Sequence, residues 1–439
     1  MRLRLSNALL SLFAAALVVF LVLLPFHAFI STWGGTAIGP LFLWKSWPEV
    51  LLLALAPLAI AYLFLQPDVW QSLWSRWINR LVILYLAINI VWAVLSPANM
   101  AATFAGLAFN LRFLAVFMLA QLVVAGGAQI VHKIRKFAGP WLLIVVVVVS
   151  VMAIAQVVFL PADFLAHFGY SSQTISPYIL VDQNKNALRA FATMRGPNEL
   201  GSYLILPLML ALALVIDQKR NILAGVALGL GVVALGLTGS RSAWLGAGVA
   251  LVVLGLLALP KHRLAKWIRW GAVSVALAGG FVLWLATAVP QVRLAVFHSS
   301  PGDSSLFEGS SQKHWEASYA GAKDALAHPL GQGVGTAGPA SFYNTANPKI
   351  AEDYYIQIAQ ETGVVGVLTF LAINILLAMQ LWRQRSELWA KLLLASLVGI
   401  SVINLFLHGW SDDPTAMTWW LIAGLYVFAP RSGKIKGKS

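Results

Sequence analysis

The chain is built from apolar runs of about 20 residues, placed one after another and separated by short polar connections. A helix that crosses a bilayer needs roughly 20 predominantly apolar residues. Inside lipid every backbone N–H and C=O must find its partner within the protein. A chain patterned this way has little choice but a bundle of membrane-spanning helices. Candidate spans fall at 7–26, 47–66, 79–96, 103–126, 140–160, 198–217, 221–238, 241–260, 268–289, 362–382, 390–408 and 415–430. Composition agrees: 59% of the 439 residues are hydrophobic and 10% are charged, whereas a soluble domain carries about 25% charged residues. The expected fold class is all-α, a polytopic membrane protein of about twelve transmembrane helices, with 1–439 forming a single integral membrane domain.

The start, Met1-Arg2-Leu3-Arg4 followed by apolar sequence to Pro25, imitates a secretory signal. Its apolar run exceeds the roughly 7–15 residues of a signal core and has no cleavage site after it, so an uncleaved first helix is expected. Charge then sets the orientation. With the N-terminus inside, cytoplasmic segments hold Arg2, Arg4, Arg76, Arg80, Lys133, Arg135, Lys136, Lys219, Arg220, the cluster Lys261 to Arg269, and the bases around Arg383 and after Arg431. Only Asp68, Asp217 and Glu387 accompany them there. This is the positive-inside pattern, and it places both termini in the cytoplasm. The net charge of +14 is therefore an orientation signal, and nucleic acid is not an expected partner. The absence of Cys excludes disulfides, thiolate metal sites and a thiol nucleophile.

Two outside loops are long, at about 161–197 and about 290–361. The second is expected to form an extracytoplasmic subdomain. In it Trp315, Tyr319, Ala322 and Leu326 recur at helical spacing, giving an amphipathic helix that stops before Pro329. A glycine-rich stretch, 331–339, follows, and a second helix is expected from near Glu352 into span ten. The glycine run lacks the GxxxxGK[ST] form and lies on the wrong side for ATP, so it is not a nucleotide loop.

Basic residues away from the cytoplasmic face carry the functional information. Arg189 and Arg195 precede span six, and Arg241 lies in Thr238-Gly239-Ser240-Arg241-Ser242, where two spans meet at the outer face. Guanidinium groups grip phosphate through a permanently charged, bidentate fork; they also snorkel to ordinary headgroups. Arg112 lies inside span four. A charge there costs roughly 2.5–3.5 kcal/mol on insertion scales, so it faces the bundle or a wet cavity, as a structural cross-link or as a substrate contact. Glu352 opens Glu352-Asp353-Tyr354-Tyr355-Ile356-Gln357 and shares a helical face with Tyr355 at i, i+3. Near a membrane-embedded site such a carboxylate can serve as a general base, although acids at helix N-termini also answer to the macrodipole. His314, beside Lys313 and Trp315, starts the first loop helix. No HExxH or other close ligand cluster points to a metal.

The order of these segments, Arg189 with Gly196-Pro197-Asn198, then Ser240-Arg241-Ser242, then His328-Pro329-Leu330-Gly331, Glu352-Asp353-Tyr354-Tyr355-Ile356-Gln357 and Glu361-Thr362-Gly363, resembles the O-antigen ligase and O-antigen polymerase (Wzy-type) superfamily of membrane glycosyltransferases. The resemblance covers about 185–385. It implies transfer of a glycan from an undecaprenyl-diphosphate carrier, with inversion and without metal or other cofactor, at the outer face of a bacterial inner membrane. The partners it implies are that lipid-linked glycan, membrane lipids and an acceptor, which is a glycan, the lipid A core or a protein. Family arginines hold the diphosphate, which maps to Arg189 and Arg241, with Arg195, Arg112 and Lys313 as further cations. Where the family carries His-Asn-x-Tyr-Leu-Gln, this chain has Glu352 in place of the His, so Glu352 or His314 is the expected catalytic base. Asp353, Tyr355 and Gln357 are the expected acceptor- or sugar-binding residues. A transporter or lipid flippase, and a family member without catalysis, are the alternatives. The first would place its polar groups at mid-membrane, where this chain has little besides Arg112.

Overall fold

In the computed structural model, which describes residues 2–181, 184–217, 221–258, 284, 289, 310–344 and 348–428, the apolar runs are helices. In chain order they are α1 (Arg2–Leu23), α2 (His27–Ala37), α3 (Leu41–Lys45), α4 (Trp47–Leu65), α5 (Pro67–Trp74), α6 (Trp77–Val94), α7 (Met100–Gly126) and α8 (Ala128–Val158). After a hairpin of β1 (Ile179–Val181) and β2 (Asn184–Arg189) come α9 (Pro197–Asp217), α10 (Ile222–Leu237) and α11 (Arg241–Ala258). The chain continues with α12 (Ser310–Ala327), α13 (Tyr354–Arg383), α14 (Leu388–Ile403) and α15 (Asp413–Tyr426). Among the described residues eight helices are long and apolar enough to cross a membrane: α1 continued by α2, α4, α6, α7, α8, α9, α11 and α13. Helices α10 and α14 are apolar but have 16 residues each, and α15 has 14. The span expected at 268–289 lies outside the described residues apart from 284 and 289, as do 290–309 and 345–347 of the long loop. The chain is an all-α polytopic membrane protein; among the described residues two short strands depart from that pattern.

Helix α7 is the axis of the bundle. Its Phe113 and Phe117 meet Trp420 of α15 at ring-centroid distances of 5.4 and 5.5 Å. Trp410 and Trp419 complete the cluster, and all three tryptophans are buried. Rings of this size interlock edge to face and contribute packing without a polar group to satisfy, apart from an indole N–H. That of Trp419 donates to Ser396 Oγ at 2.8 Å. Helix starts are capped in the ordinary way: Asn99 accepts from Ala102 N at 2.9 Å, and Asp412 accepts from Thr415 N at 3.1 Å.

Helix α13 joins the expected second loop helix and span ten in one element that ends at Arg383. It begins at Tyr354, not Glu352, and is broken at Gly363, whose φ of +68° and ψ of −167° suit a residue without a Cβ. The break frees backbone groups, and the glycine-rich segment takes them up. Val364 N donates to Pro329 O at 2.9 Å, Gln332 N to Gln360 O at 2.8 Å, and Gly333 N to Glu361 O at 3.0 Å. On its other side this segment is tied to α6 and its end: Trp92 Nε1 donates to Leu330 O at 2.7 Å, and Ser96 Oγ to Val334 O at 2.8 Å. Irregular backbone is thus held inside protein, as it must be at membrane depth.

Candidate active site

The tight turn between α10 and α11 is the foundation of the site. Gly239, at φ +58°, lets the chain reverse within Thr238-Gly239-Ser240. Arg189, the last residue of β2, lies over this turn. Its Nε donates to Thr238 O at 2.8 Å and its Nη2 to Asn198 Oδ1 at 3.0 Å. A cation on the closing carbonyls of α10 is favoured by the helix dipole, which gives Arg189 a fixed seat. Arg241 is the first residue of α11, two positions beyond the glycine. The structure therefore brings Arg189 and Arg241 to one turn from opposite sides.

Helix α12 carries His314 to the same place. Ser318 Oγ donates to Ala351 O at 2.8 Å, which ties α12 to the segment leading into α13. That segment holds Glu352 in the left-handed region, at φ +52°. A non-glycine residue there bears local strain of about 1–3 kcal/mol, which the surrounding structure must impose. The effect is to turn the carboxylate onto α12, where Glu352 Oε2 contacts His314 Nδ1. Burial and then the guanidinium groups of Arg241 and Arg189 push the His314 pKa below its ordinary 6.5. Four residues distant in sequence thus converge into two cations, a neutral imidazole and a carboxylate.

The other expected site residues lie elsewhere. Arg112 is buried in the bundle, where it pairs with Glu49 Oε1 at 2.7 Å and with Asp413. Its guanidinium also meets Ser411 O. It is a cross-link between α4, α7 and α15 and is not part of the arginine turn, because an intramembrane cation is most cheaply kept beside carboxylates. Arg195 is 59% exposed and pairs with Glu199 at 3.7 Å, facing a separate cavity. Asp353 is the N-cap of α13, accepting from Tyr355 N at 2.8 Å and Ile356 N at 2.9 Å. Burial raises its carboxyl, and those two N–H groups oppose the rise. Tyr355 is turned to α14, its Oη donating to Ser401 O at 3.3 Å. It therefore shares no helix face with Glu352, which lies ahead of the helix. Gln357 is fully buried and reaches Asn110 Oδ1 at 3.5 Å. The Lys313 side chain is outside the described residues. No group of three or more His, Asp or Glu that could hold a metal occurs among the described residues.

Two acidic centres were not anticipated. Glu361, buried in α13, accepts from Asn110 Nδ2 and from Gly335 N, each at 2.7 Å. Asp324 of α12 accepts from Gln332 Nε2 and Gln360 Nε2, each at 2.8 Å, and pairs with Lys349 at 3.3 Å. Burial alone would raise the Asp324 carboxyl, but these donors outweigh it and hold it below the usual carboxylate value.

Orientation can be read within the bundle. Arg2 donates to Leu65 O at 2.9 Å, Arg135 to Leu425 O at 3.0 Å, and Arg385 to Trp382 O at 3.0 Å, all at one end. Arg189, Arg241, His314 and Glu352 occupy the other end, where α7, α9, α11 and α13 begin.

Fold and site together define a polytopic helical membrane protein with a cationic, imidazole-bearing site at one end of its bundle. Residues 224–371 match the family model described as O-antigen ligase. The match covers about a third of the chain and lies within the stretch that carries the sequence resemblance; the matched segment holds Arg241, His314 and Glu352, and Arg189 precedes it. No curated protein matches the chain.

Proposed function

We propose that this protein transfers a glycan from an undecaprenyl-diphosphate carrier to an acceptor hydroxyl, at the outer face of a bacterial inner membrane. The observation that carries the reading is the convergence of Arg189 and Arg241 on one turn, facing the His314–Glu352 pair. Two guanidinium groups suit a diphosphate, and an imidazole kept neutral suits a base acting on a hydroxyl. The bases at the opposite end of the bundle favour that end as cytoplasmic, which puts the site outside.

In the reaction the acceptor oxygen attacks the anomeric carbon as the bond from that carbon to the diphosphate oxygen breaks. The bonding pair leaves on the diphosphate, and Arg189 and Arg241 stabilise the charge that develops there. The hydroxyl proton passes to His314 Nε2. Glu352 on Nδ1 fixes the tautomer and stabilises the imidazolium, the role a buried carboxylate plays in a catalytic triad. Attack opposite the leaving group inverts the configuration. Here Glu352, the residue that replaces the family His, orients the base, and His314 is the base.

The test is incubation of purified protein in nanodiscs with undecaprenyl-diphosphate oligosaccharide, followed by mass spectrometry. Longer lipid-linked glycans identify a polymerase, and glycan moved off the carrier identifies a ligase; unaltered donor with every acceptor class overturns the reading. The variant Arg241→Ala should lose donor binding with the fold intact, and unchanged binding removes Arg241 from the site.

The pH profile is a second check. Because His314 is held below 6.5 and acts as the neutral base, protonation stops it only below that value. The acid limb of the rate should have its midpoint below pH 6.5. An acid limb lying above 6.5 would exclude His314 as the base.

A further inference from the structure

Beside the arginine turn lies a cavity of about 110 Å³, lined by Phe109, Arg195, Asn198, Glu199, His408 and Asp412 among others. At about 10–15 Å³ per enclosed water it has room for several waters, a space comparable with one sugar ring. It is assembled from α7, α9 and the segment that joins α14 to α15. Asn198 connects it to the site already described, since the same side chain accepts the hydrogen bond of Arg189.

The lining chooses among ligands. Arg195 is already paired with Glu199, and Asp412 adds a second carboxylate, so the walls are not cationic overall. A second phosphate would meet two carboxylates there and be repelled. Burial and then the neighbouring Glu199 push Asp412 up to about 6. At the same time His408 Nε2 is shut off from solvent and has no hydrogen-bond partner. A buried polar atom left in that state costs about 1–3 kcal/mol, a cost removed by a ligand that bonds to it. Phe109 supplies an apolar face. Donors and acceptors of both kinds around one aromatic ring fit a neutral polyhydroxylated ring.

We propose that this cavity seats one sugar ring of the glycan substrates, with His408 Nε2, Asp412 and Glu199 bonding its hydroxyls and Phe109 covering its apolar face. Arg195 then orients Glu199 and leaves the diphosphate to Arg189 and Arg241. The proposal rests on the glycan-transfer reading for its ligand class, and its test separates the two. Binding is measured in nanodiscs with three probes: undecaprenyl diphosphate without sugar, undecaprenyl-diphosphate oligosaccharide, and the free oligosaccharide.

The variant His408→Ala should weaken a glycan-bearing probe by about tenfold, the equivalent of one lost hydrogen bond to a buried group, and leave the sugar-free lipid unchanged. Loss confined to the lipid-linked oligosaccharide places the donor's ring in the cavity; loss with the free oligosaccharide places the acceptor's. If all three probes bind the variant as they bind the wild-type protein, or if the sugar-free lipid weakens equally, the proposal falls. If wild-type protein binds neither lipid, the diphosphate reading fails, and the free oligosaccharide still decides the cavity. Should His408→Ala not fold, His408→Phe gives the same comparison, since it keeps a ring and has no ring nitrogen.

Discussion

Replacing His314 with Ala lowers glycan transfer by roughly 10²–10⁴-fold, the usual range for a lost general base, while donor binding stays near the wild-type level. The two readouts part because His314 is assigned to proton transfer, and the diphosphate is assigned to Arg189 and Arg241. The variant Glu352→Gln should be slower than wild type by a smaller factor, since the amide still fills the place beside Nδ1 but holds no charge against the imidazolium. It carries a further signature that a structural role would not produce. Loss of the carboxylate that touches Nδ1 removes an anion that favours the protonated ring, so the acid limb of the pH profile moves to lower pH. Wild-type activity in His314→Ala together with deep loss in Glu352→Gln would return the base to Glu352. Wild-type activity in both would dismantle the site.

The bundle was legible in the sequence because lipid imposes one simple rule on backbone groups, and runs of apolar residues answer to it directly. The arginine turn was legible for a related reason: Thr238-Gly239-Ser240-Arg241 interrupts two apolar stretches at a point where nothing in a structural helix requires a charge. The pairing of His314 with Glu352 was not. Those residues are separated by a glycine-rich segment, and what joins them is the left-handed backbone at Glu352, a tertiary constraint with no local signature. Treating Glu352 as the start of a helix placed it on a face with Tyr355, whereas the helix starts at Tyr354 behind its Asp353 cap. Arg112 shows the converse. Its position marked it correctly as an intramembrane charge, but its partners Glu49 and Asp413 come from helices far away in sequence. Glu361 stands in the sequence only as part of Glu361-Thr362-Gly363, with nothing local to show its role; its donors Asn110 and Gly335 come from α7 and the glycine-rich segment, and they make it a buried carboxylate within α13.

That buried position makes Glu361→Leu the variant with the largest expected cost to the fold. Its carboxylate accepts from Gly335 N at 2.7 Å and from Asn110 Nδ2 at 2.7 Å, and Asn110 in turn donates to Asn89 Oδ1 at 3.1 Å. Leucine fills the space but leaves Gly335 N without an acceptor, and Asn110 Nδ2 keeps only its bond to Asn89. At about 1–3 kcal/mol for a buried group left unsatisfied, the loss is at least that much. It falls on the glycine-rich segment, which Glu361 holds through its side chain at Gly335 and through its backbone carbonyl at Gly333. Thermal unfolding of the purified variant in detergent should occur well below the wild-type temperature, with early proteolysis between Leu330 and Pro339. The variant Glu361→Gln should lose less, since its carbonyl oxygen can still accept from Gly335 N, and Asn110 Nδ2 keeps its bond to Asn89. A Glu361→Leu protein as stable as wild type would mean that the glycine segment is held by its contacts with Trp92 and Ser96 alone. The carboxylate would then be free for a part in the chemistry, because a buried acid that contributes nothing to stability would have no structural reason to be there.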